Sequence, residues 1–164
     1  MGGPKQVNFE KLADWTARSE DGIRYYSGTA TYKKSFHWNG SLPEARQVFI
    51  DLGAVKNLAR VRLNGRDLGV VWTAPWRVSI TSALKAGANE LEIQVANLWP
   101  NRLIGDAALP KEKRLTVTNV RTYDTMSSGT YGCQKCEERK KTGKPAELLS
   151  SGLLGPVRLL TQRP

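Results

Sequence analysis

The chain has 164 residues, 40% of them hydrophobic and 24% charged, with 25 Lys and Arg against 15 Asp and Glu for a formal net charge of +10. That length suffices for one domain with a core of its own. No run approaches the roughly 18 apolar residues of a membrane-spanning helix, so no membrane partner is expected.

The opening segment MGGPKQVNFEKLADW is polar and mixed, without the apolar stretch of a signal peptide. Met1-Gly2-Gly3 reads as a cloning start. The expectation is therefore a segment of a longer, exported protein rather than a cytoplasmic chain. Phe9, Leu12 and Trp15 have helix-like spacing and predict one or two turns. From Thr29 to His37, β-branched and aromatic residues dominate and predict a strand. Asn39-Gly40 and Pro43 break the chain. Val48, Ile50 and Leu52 alternate with Gln47, Phe49 and Asp51, the period of a half-buried strand.

Ala59, Val61 and Leu63 alternate with Arg60, Arg62 and Asn64. Asn64-Gly65 then supplies two residues that tolerate positive φ, the signature of a two-residue hairpin. Leu68 and Val70 restart the apolar run, and Trp72 and Trp76 follow at its rim. Trp76, Val78 and Ile80 predict another strand, Thr81 to Leu84 a short helical turn, and Leu91, Ile93 and Val95 a further strand. Leu115 and Val117 against Thr116 and Thr118 predict one more. Residues 121–150 are rich in Ser, Gly, Lys and Glu and read as a long irregular loop. Val157 and Leu159 close the chain as a last strand. Seven or eight short strands at near-regular spacing predict an all-β fold, an antiparallel β-sandwich or jelly roll, in a single domain.

The positive charge is spread evenly, much of it at outward strand positions such as Arg60, Arg62 and Arg66. The local cluster from Lys135 to Lys144 is interrupted by Glu137 and Glu138. This distribution favours a solvated basic face over a nucleic-acid site, with acidic polysaccharide the more plausible polyanion. Cys133 and Cys136 form one C-x-x-C without a second pair, and the only histidine, His37, is remote. Two loop thiols or one local disulfide is the better reading than zinc. No D-x-D-x-D loop appears, so no cofactor is expected; a structural calcium ion, which takes many backbone oxygens, is left open.

Glycoside hydrolysis needs two carboxylates at a fixed separation. Asp51, Asp67, Glu90, Glu92, Asp106 and Asp124 sit in no motif that predicts burial or pairing, and read as solvated surface acids. No nucleophile elbow and no glycine-rich phosphate loop is present. Catalytic residues are therefore not expected. Carbohydrate binding suits the chain better, since sugar C–H faces stack on indoles and hydroxyl pairs suit Arg, Asn and Asp forks. Trp99 in NLWPNRLIGD, beside Asn97, Asn101, Arg102 and Asp106, is the first candidate; Trp72, Trp76 and Arg77 are the second. Tyr25, Tyr26 and Tyr131 are weaker. The alternative reading makes the three tryptophans packing residues and pairs Arg102 with Asp106.

The motifs SGTATY (Ser27 to Tyr32), DLG (Asp51 to Gly53), VRLNGRDLGVVWTAPW, LKAGANELEIQVANLWPNRLIGD (Leu84 to Asp106) and SGLLGPVRL (Ser151 to Leu159) occur in this order. Together they resemble the galactose-binding-like, sugar-binding domain of glycoside hydrolase family 2. The resemblance is closest to the version in the C-terminal part of large α-L-rhamnosidase-like enzymes, and runs from about Trp15 to the end. Residues 130–147 depart from the pattern. The resemblance implies a non-catalytic jelly-roll module whose partners are carbohydrate and the catalytic domain of a parent glycoside hydrolase. A purely structural module and a binder of acidic polysaccharide are the alternatives.

Overall fold

Alternating apolar residues in two segments produce the central pair of strands, with Ala59, Val61 and Leu63 placed opposite Val95, Ile93 and Leu91. Directly opposed side chains share a face, so one register buries all six. The computed structural model describes residues 2–40, 47–118 and 146–162. The Cys133–Cys136 pair, the lysine cluster, Asp124 and Tyr131 lie outside the described residues.

The chain divides into two compact units, Met1–Asn8 with Trp15–Gly28 and Leu98–Ser150, and Phe9–Asp14 with Thr29–Asn97 and Ser151–Pro164. The second unit holds every described strand: β1 (Thr29–Trp38), β2 (Gln47–Asp51), β3 (Ala54–Lys56), β4 (Leu58–Leu63), β5 (Arg66–Val71), β6 (Arg77–Ser79), β7 (Gly87–Ala96), β8 (Gly152–Gly155) and β9 (Arg158–Gln162). They form a four-stranded sheet β1-β7-β4-β5, a three-stranded sheet β6-β2-β9 and a two-stranded sheet β3-β8. All these ladders are antiparallel. Val48, Ile50 and Val78 from the three-stranded sheet and Val55 and Leu153 from the short one join the buried set. This is the antiparallel β-sandwich that the alternation predicts.

The hairpin between β4 and β5 turns at Asn64 (φ 52°) and Gly65 (φ 80°), the two positive φ values of a type I′ turn. Asn89, fully buried, pins it from below. The Asn89 amide nitrogen donates to the Lys85 and Gly87 carbonyls at 2.8 and 2.9 Å. Its oxygen accepts from the Lys85 N–H and from the Asn64 amide at 2.9 and 2.8 Å. Asn64 also donates to the Ala83 carbonyl and accepts the Glu90 N–H. Every polar atom of the Asn89 amide is thus spent, the condition for burying it.

The first unit holds a 3-10 turn at Trp15–Ala17, α1 (Asp21–Arg24), α2 (Pro100–Ala107) and a second 3-10 turn at Lys111–Lys113. The expected early turns therefore start at Trp15, while Phe9 and Leu12 lie outside any helix. The strand expected at Leu115 to Thr118 is absent. There the Thr116 N–H, which a ladder would use, donates to the Asp106 carboxylate. The sequence pattern predicts neither β3 and β8, too short to show alternation, nor α2, whose buried side is polar.

A buried polar helix face and an exposed aromatic rim

Pro100 occupies the first turn of α2, where a missing N–H goes unnoticed. The Trp99 carbonyl accepts the N–H groups of Arg102 and Leu103. Asn101, Arg102, Gly105 and Asp106 recur at helical spacing and are all buried. A polar stripe is stable inside only if each group finds a partner. Asn101 pairs with the backbone of Leu149, donating to its carbonyl at 2.6 Å and accepting its N–H at 2.7 Å. Arg102 Nη2 stands 2.7 Å from Asp106 Oδ1, both side chains being about 5% exposed (6% and 4%). That approach is an ion pair without hydrogen-bond alignment, and Arg102 Nε has no hydrogen-bond partner among the described residues. Asp106 Oδ2 accepts from both the N–H and the hydroxyl of Thr116, at 2.8 and 2.5 Å.

The Tyr25 ring lies against this pair, its centroid 5.9 Å from the Arg102 guanidinium carbon. Gly105 makes the approach feasible: a Cβ there would stand 2.6 Å from Tyr25 Cγ. Asp106 is accordingly a buried, paired acid and not the solvated surface acid expected of it. Trp99 itself is 55% exposed. The first expected cluster thus separates into an open indole and three polar side chains committed to internal partners. Tyr26 packs edge-on against the buried Trp15 with ring centroids 5.5 Å apart.

The second expected group lies in the sandwich. Trp72, just beyond β5, is 76% exposed. Trp76 is half-buried, and its carbonyl accepts the Leu52 N–H at 2.8 Å. Arg77 Nε donates to Asp51 Oδ2 at 2.8 Å, and Asp51 Oδ1 accepts the Gly53 N–H at 2.8 Å. Arg77, these bonds and the neighbouring Arg158 charge hold the Asp51 carboxyl below its ordinary range. The Gly69 N–H and Arg60 do the same for Asp67. A general acid requires the opposite shift. Glu92 is flanked by Lys33 and Arg62 at 3.7 and 3.6 Å. Of the six acids weighed from the sequence, Asp51, Asp67, Glu92 and Asp106 are therefore each bound to a basic partner. No group of three His, Cys, Asp or Glu side chains that could hold a metal ion occurs among the described residues.

Asn64, Asn89 and Thr116 carry structural hydrogen bonds that the residue pattern does not announce. Asn64 alone had a signal, its place in the Asn-Gly turn.

Residues 10–128 match the family described as glycosyl hydrolase 2 galactose-binding domain-like. A protein of Formosa agariphila named "Putative beta-glucuronidase" is 41% identical over 162 residues, covering 94% of this chain and 14% of that protein. A rhamnosidase from Novosphingobium sp. PP1Y superposes with a TM-score of 0.81 at 37% identity, covering 98% of this chain and 13% of the other. A beta-glucuronidase from Ruminococcus gnavus, at 18% identity and a TM-score of 0.47, covers 57% of this chain and 16% of its own. The chain spans about one seventh of the length of the first two. With its antiparallel sandwich and its match over most of its length, the chain belongs to the galactose-binding-like domain family of glycosyl hydrolase 2.

Proposed function

We propose that this chain is an accessory module of a glycoside hydrolase that docks on the catalytic part of the larger enzyme through the unit built on α2. One observation carries the reading. Leu98, Trp99, Leu115, Val117 and Leu149 are all half or more open to solvent, within a percent, at 50, 55, 49, 102 and 49%. They sit on segments that buried polar groups tie together: Leu149 to Asn101, and Thr116, between Leu115 and Val117, to Asp106. Exposed apolar side chains held in fixed positions fit a protein partner, whose interface core favours aromatic and aliphatic residues. The sugar-fork reading requires Asn101 and Asp106 to give up these internal bonds and Arg102 to leave its ion pair, which favours docking.

The experiment is to mix the chain with the catalytic domain of a rhamnosidase-like or glucuronidase-like hydrolase lacking this module and to measure association by calorimetry. The wild type should bind, and Trp99→Ser with Leu149→Ser should abolish binding without lowering the melting temperature. Absence of any association overturns the reading. The chain alone should hydrolyse no glycoside.

A second reading is supported by Trp72, whose open indole offers a stacking platform for a pyranose. Under it, Trp72→Ala alone removes the fluorescence change produced by a rhamnose- or galactose-containing oligosaccharide.

A further inference from the structure

We infer that the outward face of the three-stranded sheet β6-β2-β9 is a binding subsite for a carboxylated sugar, with Arg77 and Arg158 as the groups that take the carboxylate. The face follows from register. Val48 and Ile50 of β2 point into the core, so Phe49 and Asp51 point out. Arg77 of β6 and Arg158 of β9 are the direct partners of Asp51 on its two sides. Ser79 and Leu160 are likewise the partners of Phe49. Directly opposed residues share a face. The sheet therefore presents a charged row, Arg77-Asp51-Arg158, and beside it the row Ser79-Phe49-Leu160. With strands about 4.8 Å apart, the two arginine Cα atoms stand about 10 Å apart across the aspartate.

The charged row has unspent capacity. Asp51 is used up by the Gly53 N–H and by Arg77 Nε. Arg77 offers only Nε to it, so among the described residues its terminal N–H groups make no hydrogen bond. Arg158 acts on Asp51 by its charge, and its side chain makes no hydrogen bond or ion pair among the described residues. Two positive forks around one committed carboxylate leave a net single positive charge. That matches one carboxylate, and guanidinium forks favour its planar pair of oxygens. Phe49 and Leu160, half-buried two residues along the strands, offer apolar surface next to the charge. A hexuronate has the same pairing, an anion beside a C–H face. This subsite lies in the sandwich unit and stands independently of the docking reading, since no residue of the two tests is shared.

The test is a calorimetric or NMR titration of the chain with an oligohexuronate, its carboxyl-reduced neutral counterpart, and a sulfated neutral oligosaccharide of equal length. Binding is expected for the hexuronate alone. Arg158→Gln and Arg158→Lys should each weaken it about tenfold, the lysine keeping the charge but losing the fork. Arg60→Gln, which removes the same charge from the other sheet, should leave affinity unchanged. Equal binding of the neutral sugar, preference for the sulfated one, equal loss in Arg60→Gln, or no binding of the hexuronate each overturns the proposal.

Discussion

Asn101 and Leu149, 48 positions apart, are joined by a reciprocal pair of hydrogen bonds in which the side-chain amide takes the place of a second backbone strand. The amide holds the segment before β8 against α2, and so positions the open side chain of Leu149. Asn101→Ala leaves the Leu149 N–H and carbonyl without these partners, a loss of about 1–3 kcal/mol. The melting temperature should fall, and the Leu149 amide should exchange with solvent deuterium much faster than in the wild type. Unchanged exchange at Leu149 would show that the pair does not hold the segment.

Breaking the buried Arg102–Asp106 pair should cost more than replacing it. Asp106→Asn leaves the Arg102 charge uncompensated at 6% side-chain exposure, and such single deletions cost about 3–5 kcal/mol. Arg102→Met with Asp106→Asn should recover much of that, because the charges leave together while the Asn oxygen still accepts from Thr116. Urea titration of the single and double variants decides; a double variant less stable than the single one contradicts the argument.

Asn89 is the polar hub of the β4–β5 hairpin. Asn89→Ala leaves the Lys85 N–H and the Lys85 and Gly87 carbonyls without these partners and takes one of two acceptors from the Asn64 amide. At about 1 kcal/mol or more per orphaned buried group, stability should drop by at least 2 kcal/mol. The check is a urea midpoint, compared with exposed Glu90→Ala on the same strand, which should move it little.

Two glycines with positive φ separate strain from space. Gly65 (φ 80°) has open space where a Cβ would lie, while at Gly53 (φ 69°) a Cβ would fall on the carbonyl of Gly155. Gly65→Ala should cost about 1 kcal/mol, the backbone strain alone. Gly53→Ala should cost clearly more, since backbone must move. Equal melting temperatures for the two variants would count against the assigned turn and bridge geometry.

Asp51 predicts an acid limb in the stability curve. Its folded value lies below the ordinary 3.8, chiefly through Arg77 and the Gly53 N–H. A depressed carboxylate adds stability that is complete above the unfolded value and is lost as pH falls through the folded one. Asp51→Asn should therefore lower stability at pH 7 and shrink the difference from wild type below about pH 3.8. A difference that stays constant from pH 7 to pH 2 would refute the assignment.

The longer strands were legible in the sequence because their information is local, whereas β3 and β8 were too short to show it. Ala59-Val61-Leu63 and Leu91-Ile93-Val95 state by parity alone which face is buried, and Asn64-Gly65 names its own turn. The run Leu115 to Thr118 shows the limit: its parity suits a strand, yet Asp106 takes the Thr116 N–H that pairing would need. The candidate site was legible in composition only. Trp99, Asn101, Arg102 and Asp106 were visible as neighbours, but whether a polar side chain faces solvent or the interior depends on a partner elsewhere in the chain. By itself, the sequence determined the sandwich, the buried face of its central strands and its family, while their pairing came from the structure. Only the tertiary structure decided that Asn101 and Asp106 are hydrogen-bonded inside, with Arg102 buried as the ion-pair partner of Asp106, while Trp72 and Trp99 stay open, because a buried polar group needs partners that other parts of the chain supply.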